Sequence, residues 1–105
     1  MEIVIAEPQV FYSRGDEDAF FGRLYNLPCV GPIVGLPDGL HIKLKHRPSD
    51  SQLREIIALL FRYNLDMTPL AALRTARNAP WFDKPGMFWH QKVFGKRRVP
   101  RARKR

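Results

Sequence analysis

The side chains best suited to chemistry are three histidines and a single cysteine, and they are scattered along the chain. His41 and His46 would not share a face of the strand they flank, and His90 has no carboxylate at a ligand spacing. Cys29 lies in an apolar stretch, so we expect its thiol to be buried and unreactive. Because no spaced cluster of His, Cys or Asp is present, we expect no metal site.

Patterns for nucleophilic catalysis and for phosphate binding are also missing. Ser13 and Ser49 have no recognisable partner base. The glycines at positions 31, 35 and 39 alternate with prolines in a predicted hairpin, whereas a phosphate loop requires them at the start of a helix. We therefore expect no enzyme and no cofactor, and we look for function in binding.

The positive charge is concentrated at the C-terminus. Seven of the 18 Lys and Arg residues, and no acid, lie within residues 96–105. They are Lys96, Arg97, Arg98, Arg101, Arg103, Lys104 and Arg105. Residues 1–95 hold 11 basic and 10 acidic residues and are nearly neutral. With only Val99 and Ala102 as aliphatic residues, the last segment cannot bury enough apolar surface to offset its ordering entropy. We predict one globular domain, residues 1–95, and a disordered basic tail, residues 96–105.

Length and composition favour a single folded domain in the cytoplasm. The 105 residues are 45% hydrophobic, which is ordinary for a globular protein and too high for a disordered one. The first residues lack the basic start and long apolar core of a signal peptide. No apolar run approaches the roughly 20 residues that span a bilayer. We expect no membrane contact.

The first half of the chain predicts a strand, a helix and a hairpin. A β-branched run, Ile3 to Ile5, reads as a strand, and a further extended piece is expected at residues 10–12. Three acids at positions 16–18 favour the first turn of a helix that ends before Pro28, although an acidic contact patch is the alternative. Residues 36–39 are typical of a turn between extended arms at 30–34 and 40–45.

The second half predicts helices. Ser49 and Gln52 fit a capping box that opens an amphipathic helix, and Asn64 is a plausible left-handed stop. Thr68 followed by proline predicts another helix to about Arg77, and Asp83 could cap a last short helix through residue 94. The fold class is therefore α+β. We expect a small three-stranded sheet with an antiparallel hairpin, covered by three C-terminal helices, and leave strand order open.

Five of the 12 aromatic residues lie within 14 positions, from Trp81 to Phe94. They could close the core, or they could form a binding surface. On the second interpretation Trp81, Phe82 and Trp89 are the candidate anchors for a protein partner, because aromatic residues dominate interface hot spots. This assignment requires at least one of the three to be exposed.

Nucleic acid is the alternative partner. The seven tail cations could neutralise phosphates in any sequence context, with Lys43, Lys45 and Arg47 on the hairpin as a second patch. A tail that only improves solubility is equally compatible with the sequence. The predicted helix pair at 49–77 superficially matches a helix-turn-helix, but the second helix offers few cations or amides for base contacts.

The C-terminal half also carries a family resemblance. Its residues are the run Leu53 to Leu59, the run Tyr63 to Met67, Asn78, Trp81, Phe82, Trp89 and the run Val93 to Gly95. In these residues the chain resembles a family of small uncharacterised bacterial proteins of the accessory or immunity type. The resemblance implies a protein that holds another macromolecule, and it assigns no functional residue. We therefore expect a non-catalytic, immunity-like or regulatory binding module.

Overall fold

The computed structural model describes residues 1–6 and 10–95, which form an α+β fold around one three-stranded antiparallel sheet. The predicted basic tail, residues 96–105, lies outside the described residues. The elements are β1 (Glu2–Ile5), α1 (Arg14–Tyr25), β2 (Val30–Leu36), β3 (Gly39–Leu44), α2 (Asp50–Arg62), a 3-10 helix (Thr68–Leu73), α3 (Ala79–Phe82) and a π-helical turn (Gln91–Gly95). Residues 10–12, predicted as extended, belong to no strand.

The last strand in sequence is the central strand of the sheet, in the order β1-β3-β2. The predicted hairpin is confirmed, and β1 joins β3 on its other side, also antiparallel. Leu40, Ile42 and Leu44 are buried, as the strict alternation of β3 predicts. They meet β1 through Ile3 opposite Ile42 and Ile5 opposite Leu40. One face of the sheet is therefore the floor of the core.

The hairpin turn requires a glycine. Leu36 pairs with Gly39, so only Pro37 and Asp38 connect the strands. Gly39 has φ 142°, and a Cβ at this position would lie 2.3 Å from the carbonyl oxygen of Ile5. The turn can thus pack against β1 only because residue 39 has no side chain.

Side-chain caps set the starts of the two long helices. Ser13 Oγ accepts the N–H of Asp16 at 3.0 Å, which confirms that the acids open a helix. At α2, Ser49 Oγ accepts the N–H of Gln52, and the Gln52 side chain accepts the N–H of Ser49, completing the predicted capping box. After α2, Asn64 adopts the predicted left-handed conformation with φ 57°.

The predicted helix from Thr68 to about Arg77 is replaced by the shorter 3-10 helix. Asp66 Oδ1 accepts both the N–H and the hydroxyl of Thr68, so Thr68 does not act as an N-cap. The chain becomes extended at Arg74, and a turn follows in which Asn78 Oδ1 accepts the N–H of Thr75. No second α-helix follows α2 here, and the helix-turn-helix interpretation is therefore wrong.

The last predicted helix is likewise broken into short pieces. Asp83 lies at the end of α3 instead of capping a new helix, because its two carboxylate oxygens bond to Arg74 and His90. Gly86 then takes φ 99°, which no helix residue can adopt. The chain returns to helical geometry only in the π-helical turn. The sheet is thus covered by α1, α2 and a set of single turns.

The core lies between the inner face of the sheet and these helices. Its fully buried large side chains are Ile5, Phe20, Leu24, Ile42, Leu53, Ile56, Ile57, Leu60, Met67, Leu70, Phe82 and Phe94. Two buried polar side chains, Asn78 and His90, sit among the C-terminal turns, where each has a hydrogen bond. The turns of residues 74–95 therefore combine core packing with polar contacts that fix their path.

Candidate functional site

Of the three predicted anchors, only Trp81 reaches the surface. Phe82 is 0% exposed and Trp89 is 4% exposed. Both face inward because Phe82 packs against Phe94, with ring centroids 5.0 Å apart, and Trp89 Nε1–H donates to the carbonyl of Phe82. Phe82 and Trp89 are thus core residues that no partner can touch in this conformation.

The most exposed aromatic of this segment is Phe88, which the sequence interpretation did not single out. Phe88 is 55% exposed and meets Phe61, 38% exposed, edge to face with centroids 4.8 Å apart. The sequence places Phe61 on the apolar stripe of α2, but the structure puts it at the edge of that stripe. One signal could have found it: Phe61 lies seven positions after Arg54, so both occupy the same side of the helix.

Cations flank these rings. The Arg54 guanidinium carbon lies 3.9 Å from the ring centroid of Trp81, and Lys92 Nζ lies 5.7 Å from that of Phe61. These five residues, Arg54, Phe61, Trp81, Phe88 and Lys92, are called the aromatic surface below. It runs along one side of α2, where the helix meets the turns of residues 81–92.

Trp81 also holds an unused hydrogen-bond donor. Its indole Nε1 is buried and, among the described residues, is the only buried side-chain nitrogen or oxygen without a hydrogen-bond partner. Leaving such a donor unpaired costs about 1–3 kcal/mol relative to a satisfied one. The aromatic surface therefore includes a buried donor that lacks a hydrogen bond, a feature that calls for an explanation.

A polar cluster fixes the segment that carries Phe88. Asp83 Oδ1 bonds to His90 Nε2 at 2.8 Å, and Asp83 Oδ2 accepts the Nε–H of Arg74 at 2.7 Å. Burial opposes ionisation of this carboxyl, but the bonds to His90 and Arg74 outweigh it and lower the pKa of Asp83 below its usual value. Since Asp83 and His90 bracket Phe88, the contact closes that segment into a loop of fixed shape.

A second surface feature borders the other side of α2. A groove of about 250 Å³ lies between α1 and α2, lined by Arg23, Glu55, Ala58, Leu59 and Arg62. Ala58 lies at the margin of this groove, next to the side of α2 that carries Arg54 and Phe61. On the exposed face of α2, the small side chain of Ala58 thus separates the aromatic rings on one side from the mixed-charge groove on the other.

The candidate nucleic-acid residues are divided between two places. Lys43 is exposed on the face of β3 turned away from the core, and Lys45 is exposed directly after the end of β3. Arg47 is also exposed, but its guanidinium donates to the carbonyl of Leu73 at 3.5 Å, and it lines a groove of about 630 Å³ that also includes Arg77. The seven tail cations lie outside the described residues.

The same outer sheet face carries an acid-histidine-acid contact. His41 Nε2 lies 2.7 Å from Asp38 Oδ1, and His41 Nδ1 lies 3.4 Å from Glu2 Oε2. The hydrogen bond to Asp38 raises the pKa of His41, with a smaller contribution from Glu2.

Among residues 1–6 and 10–95, no group of three His, Cys, Asp or Glu side chains is placed to hold a metal ion. Burial raises the pKa of the Cys29 thiol, as expected for an inert cysteine in the core.

No helix in the described part of the chain has the length and apolar character needed to cross a membrane. Comparisons with protein-family models, with curated proteins and with solved structures found no match. Function is therefore inferred from the surface chemistry of this chain.

Proposed function

We propose that this chain is a non-catalytic binding module that docks an acidic segment of a protein partner on the aromatic surface. The observation that carries the proposal is the exposed pair formed by Phe61 and Phe88. Two adjoining phenylalanine rings at the surface of a small domain leave apolar area in contact with water, and such area is concentrated at interaction sites.

The geometry of the rings suits an interface hot spot. Phe88 packs edge to face against both Phe61 and the buried Trp89, with centroids 4.8 and 4.9 Å apart. Its ring is therefore supported from below while its outer side remains open. A partner would bury this outer side without ordering a mobile side chain, which lowers the entropic cost of binding.

The charges of the aromatic surface select an acidic partner. Arg54 and Lys92 belong to it, and none of its five members is an acid. Carboxylates approaching the rings would pair with these cations, which also speeds association.

The surface is also held in place before any partner arrives. The bonds from Asp83 to His90 and Arg74 fix the two ends of the Phe88 segment, and Trp89 Nε1–H bonds to Phe82. A fixed surface loses little freedom on binding. An immunity-like or regulatory protein, the kind that the family resemblance implies, would act by docking a partner in this way.

The test is selection from a displayed library of random peptides on the full chain, comparing wild type with Phe88→Ala. We expect enrichment of peptides that combine Asp or Glu with aromatic or aliphatic residues, and at least a tenfold loss of their affinity, about 1.4 kcal/mol, in Phe88→Ala. The matched control is Tyr25→Ala, since Tyr25 is exposed to the same 55% but lies on α1.

Equal binding to wild type and Phe88→Ala would refute the aromatic surface as the docking site. Equal loss in Tyr25→Ala would do the same, because the effect would then not be local. Failure to enrich any acidic peptide would refute the proposed partner class.

Nucleic acid remains a second candidate because residues 96–105 contain seven cations and no acid. A gel shift with a single-stranded oligonucleotide separates the two candidates. The variant for this test is the full chain with the seven tail cations changed to Gln. Binding that disappears in this variant, and that falls steeply with salt in wild type, would favour nucleic acid. Absence of binding by wild type would discard it.

A further inference from the structure

Strand β2 is an open edge of the sheet. The strand order β1-β3-β2 leaves its outer side without a neighbouring strand. Within the described residues, the one backbone hydrogen bond found from β2 to a residue outside the sheet is donated by Val30 to Leu27, at 3.0 Å. Among the helical elements, the 3-10 helix contacts β1 and α1 contacts β2. An additional strand could therefore pair with β2.

The second half of β2 lacks the features that usually protect an edge. No residue of Val30–Leu36 carries a charge. Pro32 and an irregular register between Val30 and Ile33 disturb only the beginning of the strand. Beyond them, Val34 and Leu36 are 48% and 45% exposed. A regular, uncharged and apolar stretch of this kind is suited to strand pairing.

The strand is also complementary to itself. If two copies of β2 pair antiparallel about Val34, each Val34 faces the other, and each Ile33 faces Gly35 of the second copy. Gly35 has open space where a Cβ would stand, so it leaves room for the neighbouring Ile33. Leu36 then faces Pro32 of the second copy, and no charged side chain meets a like charge along the strand.

We propose that two copies of this chain associate through β2 and form one antiparallel sheet in the order β1-β3-β2-β2-β3-β1. A second copy is the favoured occupant because it brings an uncharged strand in which Ile33 faces the open space at Gly35 on both sides of the pair. The contact is a single strand pair, at the low end of interface sizes, so the dimer forms and dissociates with concentration. This inference is independent of the proposed function, since the aromatic surface has no residue on β2.

Sedimentation equilibrium of the full chain over a concentration series tests the proposal. We expect the average mass of wild type to rise toward about twice the monomer mass. Val34→Lys and Val34→Glu should each stay monomeric, because like charges would face each other across the axis. An equimolar mixture of the two variants should recover the dimer, because opposite charges then face each other.

The matched controls are Val4→Lys and Val4→Glu. Val4 and Val34 both pair with His41, from opposite sides, so they occupy equivalent positions on the two edges. The Val4 variants should dimerise as wild type does. A monomeric wild type at every concentration overturns the proposal, and so does loss of the dimer in the Val4 variants alone or to the same extent.

A covalent test avoids any loss of stability caused by a charge. Facing side chains on paired strands have Cβ atoms about 4.5–5.5 Å apart, close enough for a disulfide after small adjustments. Mild air oxidation should therefore link two chains of Val34→Cys, with oxygen taking up the two electrons and two protons lost by the thiols. Val4→Cys should stay unlinked. Equal linking of both variants, or none in Val34→Cys, contradicts pairing about Val34.

Discussion

At the scale of the residue, Gly39 is the position where one added methyl group would do most harm. An alanine there must adopt φ near 142° and must place its Cβ 2.3 Å from the carbonyl oxygen of Ile5. We expect Gly39→Ala to lower the free energy of unfolding by at least about 2 kcal/mol, since about 1–3 kcal/mol comes from the backbone conformation alone. Urea unfolding followed by circular dichroism measures this loss.

Gly35→Ala provides the control for that measurement. Gly35 lies in the same hairpin, and nothing stands within 4 Å of the Cβ it would gain. Its stability should change by less than about 1 kcal/mol. A similar loss in both variants would mean that the hairpin tolerates no side chain at either glycine, and that contact with Ile5 is not the cause.

His41 makes the stability of the sheet depend on pH. Its pKa is raised in the folded chain, chiefly by Asp38, so the protonated form stabilises the fold at acidic pH. This contribution is complete below the unfolded pKa and disappears as the pH rises through the higher folded pKa. The pKa of Asp38 is lowered by the same contact, so the carboxylate partner stays ionised in weak acid.

We therefore expect the stability difference between wild type and His41→Gln to be larger at about pH 5 than at about pH 9, on either side of the ordinary histidine pKa. Urea unfolding of both proteins at the two pH values gives the difference. His46→Gln is the control, because the ring of His46 bonds to the backbone carbonyl of Arg47. A difference that is the same at both pH values, or that grows with pH, would contradict the pairing of His41 with Asp38.

At the scale of the element, Asp83 connects three short segments of the C-terminal part of the fold. It joins the extended segment at Arg74, the end of α3 and the turn at His90. We expect Asp83→Asn to cost about 1–3 kcal/mol of stability at neutral pH, because two charge-assisted bonds weaken. Because the pKa of Asp83 is lowered in the fold, wild type should lose this advantage only on acidification through that pKa.

Thermal or urea unfolding at neutral and acidic pH provides the measurement for Asp83→Asn. Asp18→Asn, which removes an exposed carboxylate on α1, is the control and should change stability little. If Asp83→Asn equals wild type at neutral pH, the polar cluster does not fix these turns. The preorganisation of the aromatic surface would then need another cause.

Elements with local signals could be predicted from the sequence, and those set by distant contacts could not. The start of α2 follows from Ser49 and Gln52, three positions apart, and β3 follows from its strict alternation. The end of the 3-10 helix does not, because Arg74 is drawn to Asp83, nine positions later. Thr68 looks like a cap, but the carboxylate of Asp66 takes its N–H and hydroxyl.

The candidate site shows the same limit. Sequence reasoning placed the candidate anchors in the segment from Trp81 to Phe94, and of these anchors Trp81 is partly exposed. It could not tell which of two neighbours turns outward: Trp89 is 4% exposed, whereas Phe88 is 55% exposed. That choice is made by the bond from Trp89 to the carbonyl of Phe82 and by the edge of α2 at Phe61, neither of which leaves a periodic pattern.

At the scale of the whole molecule, Cys29 reports on global unfolding. It is 0% exposed, its thiol has a raised pKa, and its carbonyl accepts the N–H of Lys45 next to β3. We expect a thiol reagent such as Ellman's reagent to react slowly in native buffer and faster in urea, in step with the loss of circular dichroism. Rapid reaction in native buffer would mean that the start of β2 opens separately from the rest.

The position of β3 imposes an order on the growing chain during synthesis. Its partner β2 is two residues away, but its other partner, β1, is separated from it by residues 6–38. Closing the shorter connection costs less conformational entropy, so the hairpin can form as soon as both of its strands have left the ribosome. The Ile3-Val4-Ile5 run, made first, must stay exposed until the ribosome has released residue 44. Of the three strands, the first to leave the ribosome is thus the last to be paired.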